Sequence, residues 1–254
     1  MYEWLTDYNY MGDRRLGVKI YDIISANDGD VAIAAAMEEV LERVPDACCL
    51  DIGADEGWWS LFARKKSSLA EIIAFEPNPL NYTKLIQNTK NKNIQTVNKA
   101  VSDKDGHLFF ELGDGGTNSR QNQNVTDNLV KLECTPIRQF IESKEKLVVK
   151  IDTEGHDIII VKTLLPFVEK IDTLIFEFTI YWYENKEEAI QVLYTLQKHF
   201  KHMYFTNRRG LPQFIKLSSS TNLEELCFEF NVIKYQVDII FTNNEFTKIP
   251  TRTV

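Results

Sequence analysis

Two apolar runs that end in carboxylates constrain this chain more than any other feature. Leu50-Asp51-Ile52-Gly53-Ala54-Asp55-Glu56-Gly57 reads as a buried strand, an acid and a glycine turn that opens a helix. Ile72-Ile73-Ala74-Phe75-Glu76-Pro77 reads as a second buried strand ending in a carboxylate. Together they describe a nucleoside-cofactor pocket at the carboxyl end of a parallel sheet. The glycine spacing then bears on the cofactor. A dinucleotide site uses Gly-x-Gly-x-x-Gly so that backbone can approach a pyrophosphate. Here the pattern is Asp51-x-Gly53-x-x-x-Gly57, with Asp55 and Glu56 inside the turn. Two carboxylates there repel a pyrophosphate but suit the positive charge of S-adenosylmethionine (SAM). An NAD-linked oxidoreductase is the competing reading, and the missing third glycine counts against it.

The length, 254 residues, suffices for one α/β domain with a full core and only marginally for two. Net charge is -8, from 29 basic and 37 acidic residues, with no long basic block. Such a surface repels nucleic acid, so a polysaccharide, small molecule or protein partner fits better. The start, Trp4-Leu5-Thr6-Asp7-Tyr8, is mixed and polar, and no signal peptide is expected. No apolar run is long enough for a transmembrane segment. Cys48, Cys49, Cys134 and Cys227 make neither a zinc pattern nor a disulfide framework. Reduced, packed thiols in a cytoplasmic protein are expected.

Along the chain, residues 1–45 form a lead-in, whose first 30 residues are a candidate layer over the cofactor and whose Val31–Arg43 stretch has helical spacing. Strands are expected at 47–52, 71–75 and 94–99, with helices at 58–65 and 79–89 between them. Gly106–Glu111 and Leu129–Cys134 read as an antiparallel pair around a soft loop, Gly113–Asn124, too polar to pack without a ligand. A short helix at 136–142 precedes the apolar strand 147–151. Helix 156–168, strand 173–178 and helix 185–199 come next, the last with Asn185 as cap and Glu188 three residues on. Strands near 203–206, 213–217 and 237–242 are expected to end in an antiparallel hairpin at the sheet edge.

Each pocket residue has a chemical reason. Gly53 permits close approach of the methionine part of SAM, and the helix N-terminal amides after Ala54, from Asp55 to Trp58, can hold its carboxylate. Glu76 is placed to accept both ribose hydroxyls, and Pro77-Asn78-Pro79 stops the strand and starts a helix. In the turn after the third strand, Val101 offers an adenine an apolar wall; Ser102 is small and polar, and Asp103 can accept from the exocyclic amine. The densest chemistry is Lys150-Ile151-Asp152-Thr153-Glu154-Gly155-His156-Asp157, with Glu177 ending the next strand. Methyl transfer needs the acceptor oxygen within about 3–3.5 Å of the methyl carbon and a base within reach of its proton. His156, with an ordinary pKa of about 6.5, and Asp152 are the candidate bases. Asp152, Glu154 and Glu177 also suit a divalent metal ion; the lack of a compact ligand motif favours a metal-free site. Tyr181-Trp182-Tyr183 read as aromatics at the pocket rim, where sugar rings or apolar substrates stack.

These pieces resemble the FkbM family of SAM-dependent methyltransferases, a branch of the class I superfamily. The resemblance rests on residues 50–60, 74–79, 98–103, 149–157 and 175–178, with Val237–Phe241 similar to the family's last strand. It implies one α/β domain over 1–254, Rossmann-like, with a mostly parallel seven-stranded sheet, helices on both faces and an antiparallel C-terminal edge. The cofactor-binding core is then 47–180 and the acceptor side 181–254. It further implies O-methylation of a hydroxyl on a sugar, within an oligosaccharide, polysaccharide or glycoconjugate, with S-adenosylhomocysteine (SAH) as product. Family members also modify macrolides, and a silent glycan-binding domain on the same fold is a further alternative. A nucleic-acid or protein methyltransferase fits less well, given the acidic balance and the absence of Asn-Pro-Pro-Tyr. The chain departs from the family at Asp55, often Asn, and at His156-Asp157, usually a small or apolar residue and then Glu.

Overall fold

The computed structural model describes residues 28–111, 120–121, 129–206, 214–234, 236–248 and 251–253. The first 27 residues, and the loop expected at 113–124 apart from Arg120 and Gln121, lie outside the described residues. After helix α1 (Asp28–Arg43) come β1 (Cys48–Ile52), α2 (Trp58–Lys66), β2 (Glu71–Phe75), α3 (Pro79–Thr89) and β3 (Gln95–Val97). A second group is β4 (Ala100–Ser102), β5 (Gly106–Glu111), β6 (Arg120–Gln121), β7 (Leu129–Pro136) and α4 (Arg138–Ile141). Next are β8 (Leu147–Ile151), α5 (Asp157–Leu164), β9 (Ile171–Phe178), α6 (Lys186–His199), β10 (His202–Thr206) and β11 (Phe214–Leu217). Helix α7 (Leu223–Ile233), β12 (Val237–Thr242) and β13 (Thr251–Thr253) complete the order.

The main sheet runs β13-β11-β10-β12-β9-β8-β1-β2-β3. Strands β3, β2, β1, β8 and β9 are parallel, whereas β12 is antiparallel to both neighbours. Chain order runs outward from β1 in one direction to β3 and then resumes at β8 on the other side. That reversal opens a crevice above the carboxyl ends of β1 and β8, where α/β folds bind ligands. This mixed sheet with helices on both faces is a Rossmann-like α/β arrangement.

Alternation along the strands assigns the faces. Leu50, Ile52, Val149 and Ile151 pack toward α5, α6 and α7, while Cys49, Ile72 and Val148 pack toward α1 and α2. Cys48 and Cys49 accordingly enter opposite cores, and all four thiols are free and buried. Among the described residues no helix is long and apolar enough to cross a membrane.

Several expectations are corrected. Among the described residues the main sheet has nine strands rather than seven, because β11 and β13 extend it beyond β10. Strand β12 is not at the edge but lies between β9 and β10; the antiparallel hairpin is β10–β11, and the outermost pair, β11–β13, is parallel. Residues Ala100–Ser102 are not a turn. They pair in parallel with β7 and start a second sheet, β4-β7-β5-β6, whose β5–β7 pair is the antiparallel one expected. The helix expected over 156–168 ends as α-helix at Leu164 and continues as a 3-10 turn over Leu165–Lys170. Pro166 has no N–H to continue the α-helical ladder. Helix α7 was not expected, although Asn222 caps it by accepting from the N–H groups of Glu224 and Glu225, and Leu223, Cys227 and Phe230 bury at helical spacing.

Candidate active site

The floor of the crevice is backbone. After β1 the N–H groups of Gly53 and Ala54 both donate to Phe75 O, at 3.0 and 2.9 Å, and Asp152 N donates to Ile52 O at 2.9 Å. These bonds bring the loops after β1, β2 and β8 together so closely that a Cβ on Gly53 would lie 1.8 Å from Asp152 O. Gly57 is needed for a different reason. With φ at +90°, it opens α2 where a Cβ would meet Leu85 Cδ1 of α3 at 2.5 Å. Its place is in helix packing, and it does not line the cleft.

Asp51 is fully buried, and its Oδ2 accepts from Ser60 N at 3.1 Å and Ser60 Oγ at 2.6 Å. Burial raises its pKa, and Lys150, whose Nζ lies 3.9 Å from Oδ1, pulls the other way. Asp51 therefore ties α2 to β1 beneath the crevice. Ala54 is buried against Ala74 and Leu85. Asn78 caps α3, its Oδ1 accepting from Leu80 N at 3.0 Å with Pro79 at the first helical position; such caps contribute about 1 kcal/mol.

Gly53, Asp55, Glu76, Pro77, Val101, Asp152, Glu154 and His156 do line one cleft, as sequence spacing indicates. Glu76 is only 6% exposed, with Oε2 accepting from Asp55 N and Oε1 from Asn78 N, both at 2.8 Å. Each oxygen takes one N–H and keeps acceptor capacity for a further donor, which suits two adjacent ribose hydroxyls. Burial nonetheless pushes the Glu76 pKa up to about 8 against those two hydrogen bonds. Burial and then the neighbouring Glu56 push Asp55 up to about 6. A ligand with hydroxyl donors and a positive charge relieves both, so these residues fit SAM.

Glu76 also gives the cleft a pH dependence. Hydroxyl donors favour the ionised carboxylate, so the bound-state pKa falls below the free value of about 8. Affinity for SAH should then rise with pH up to that value and level off above it, by up to about tenfold per pH unit. Calorimetry across that range checks this, and Glu76→Gln should flatten the profile. The same substitution should weaken SAH by about 1.5–3 kcal/mol, because a charge-assisted pair of hydrogen bonds is lost. A persistent pH slope in Glu76→Gln would assign the titration elsewhere.

Beyond Glu76 the cleft wall is apolar, formed by the buried Ala100, Val101 and Phe110. Ser102 is buried behind it, and its Oγ lies 3.0 Å from His156 Nε2 and donates to Asp103 Oδ1 at 3.2 Å. His156 is 2% exposed, and burial lowers its pKa to about 4, with Asp103 opposing.

On the other side, Asp157 shapes the turn after β8. Its two oxygens accept from Thr153 N and Gly155 N, each at 3.0 Å, while Glu154 and Gly155 adopt positive φ values of 54° and 105°. This turn sets oxygens of Asp152, Glu154 and Glu177 within 4.8 Å of one another. Lys150 Nζ lies 3.3 Å from Asp152 Oδ2. Glu177, one residue before the end of β9, accepts from Gln236 Nε2 and is raised in pKa by burial and then by Asp152, Asp157, Glu154 and Asp238. Trp182 packs on the turn, its Cβ 3.8 Å from where a Gly155 Cβ would stand. Tyr181 and Trp182 are half-buried and edge-on at 5.7 Å. Tyr183 is not a rim residue. It is buried, and its hydroxyl donates to Glu177 O.

Sequence spacing misses Asn81, Lys99, Phe110 and Thr153 in the cleft. Asn81 carried a usable signal, a polar residue four positions before the buried Leu85 on one face of α3. Phe110 carried none, since only the docking of the second sheet brings it there.

A sequence model of the methyltransferase FkbM domain matches residues 51–206. No curated protein matches the chain. Among solved structures, the chain is similar to the methyltransferase FkbM of Methylobacillus flagellatus KT, at 14% identity and a TM-score of 0.45, over 78% of this chain and 44% of that one. It thus spans less than half the length of that protein. The plantazolicin methyltransferase BpumL, in complex with a triazolic desmethylPZN analog and SAH, is similar at 12% identity, over 95% of each chain, with a TM-score of 0.43. The bifunctional kinase-methyltransferase WbdD is similar at 11% identity, over 85% of this chain and 39% of that one, with a TM-score of 0.43.

Proposed function

The chain belongs to the FkbM methyltransferase family and is a SAM-dependent methyltransferase, and from that premise we propose that it methylates a hydroxyl of a sugar within an oligosaccharide, polysaccharide or glycoconjugate. One observation carries the choice of acceptor. The oxygens of Asp152, Glu154 and Glu177 cluster within 4.8 Å beside the half-buried pair Tyr181 and Trp182. Clustered carboxylates accept from several hydroxyls at once, and an aromatic pair offers a face to a sugar ring. Bound SAM supplies a methyl on a positively charged sulfur. Residues 47–180 hold it, with Glu76 on the ribose, Gly53 and Asp55 along the methionine part, and Val101 and Asp103 at the adenine, backed by the buried Ser102. Asp152 accepts the acceptor proton, oriented by Lys150 at its Oδ2. The net charge of -8 and the four free, buried thiols support a carbohydrate rather than a nucleic acid as partner, and a cytoplasmic setting.

A second reading has its own observation. Three carboxylate oxygens in mutual reach form a hard-ligand set that suits a divalent cation. The experiment is transfer of labelled methyl from SAM to a panel of mono- and oligosaccharides, with and without EDTA. The metal-free reading expects transfer unchanged by EDTA. Loss with EDTA and recovery with Mg²⁺ or Mn²⁺ would instead make the three acids metal ligands. Label on a macrolide or another non-sugar hydroxyl, and on no carbohydrate, would overturn the acceptor assignment.

A further inference from the structure

We propose that His156 is a positioning residue of the cofactor site, which donates to Ser102 and through it fixes the Asp103 carboxylate for the exocyclic amine of the adenine. The inference rests on the reading of Asp103 as the adenine acceptor. The hydrogen-bond directions lead to it. Ser102 Oγ carries one proton and gives it to Asp103 Oδ1 at 3.2 Å. The contact between Oγ and His156 Nε2, at 3.0 Å, takes either direction according to the imidazole tautomer, and a hydroxyl proton committed to Asp103 selects one of them. Nε2 carries the ring proton and donates, and Oγ accepts. Nε2 is therefore a donor in this arrangement and is not the atom that takes a proton from an acceptor hydroxyl.

Location agrees. Asp152, Glu154 and His156 alternate in sequence, but Glu154 at φ 54° and Gly155 at φ 105° break the alternation. The turn leaves Asp152 and Glu154 with Glu177 and sends His156 toward β4. There the imidazole is 2% exposed, at the junction where α5 of the main sheet meets β4 of the second sheet. It reaches the same cleft wall as Val101. A His at this point ties the two sheets together at the adenine end and orients Ser102 from behind. Alanine would leave Oγ without its donor and free the Asp103 carboxylate to rotate.

The test uses the full chain with SAH and with S-inosylhomocysteine, which has a carbonyl in place of the exocyclic amine. The wild type should prefer SAH. His156→Ala should raise the Kd of SAH and the KM of SAM by roughly fivefold to tenfold, the equivalent of one lost hydrogen bond. The preference over the inosyl compound should shrink, and kcat at saturating SAM should stay within about twofold of the wild type. His156→Gln, whose amide can donate, should recover much of the preference and guards against a folding defect in the alanine variant. Combining His156→Ala with Ser102→Ala should cost little more than either alone. A wild type without preference would overturn the adenine reading and this inference with it. A wild-type preference that survives in His156→Ala, or a fall in kcat with unchanged KM, would overturn this inference alone.

Discussion

Gly53→Ala is expected to abolish SAH binding at concentrations that saturate the wild type and to lower the thermal midpoint by several degrees. Two independent costs act at this position. The backbone sits at φ +82°, where any residue with a Cβ is strained by about 1–2 kcal/mol. The added carbon also meets Asp152 O at 1.8 Å, and that oxygen is backbone, so no rotamer relieves the contact. Either the loop after β1 or the turn after β8 must move. The first carries Asp55, whose N–H holds Glu76 Oε2, and the second carries Asp152 and Glu154. One methyl group therefore disturbs the cofactor and acceptor sides together. Circular dichroism melting and calorimetry with SAH report both effects. Wild-type affinity in a folded Gly53→Ala would show that the two loops need not approach each other for binding.

Asp152→Asn should lower kcat by about a hundredfold to ten-thousandfold, the range for loss of a general base, while the Kd of SAH changes little. The amide keeps the size of the side chain and its place after β8 but cannot take the acceptor proton. It also loses the charge that faces Lys150 Nζ at 3.3 Å. The split between kcat and Kd distinguishes this from damage to the fold, which would move both. Undiminished transfer in Asp152→Asn would remove Asp152 from the chemistry.

The centre of the site was legible in the sequence because its elements are local. Short apolar runs at 48–52 and 71–75, each soon followed by Gly or Pro, read as buried strands, and the residues just past their carboxyl ends, Gly53 and Glu76, line one cleft. Glycine spacing was less informative than it looked. It marks where the backbone needs a left-handed turn but not which neighbour is close, and at Gly57 the close neighbour is Leu85 of α3. The same limit applies to alternation. The period of Asp152, Glu154 and His156 holds only for extended backbone, and Asp157 folds that segment into a turn. The 3-10 turn ends at Trp182 and Tyr183 follows in extended conformation, so Tyr183 enters the core while Tyr181 and Trp182 stay half-buried. The strand count failed at the chain's end, where a three-residue strand such as Thr251–Thr253 has no hydrophobic pattern to read. Between β3 and β4 neither Gly nor Pro marks the point at which the chain leaves one sheet for the other.

The most direct test is to incubate the protein with SAM carrying a ¹³C methyl group and a mixture of candidate acceptors, then to locate the label by NMR and mass spectrometry. The account predicts a labelled methyl ether on a hydroxyl oxygen of a carbohydrate, formed with one SAH and one released proton per methyl and absent in Gly53→Ala. Label on protein or RNA, and never on carbohydrate, would contradict it.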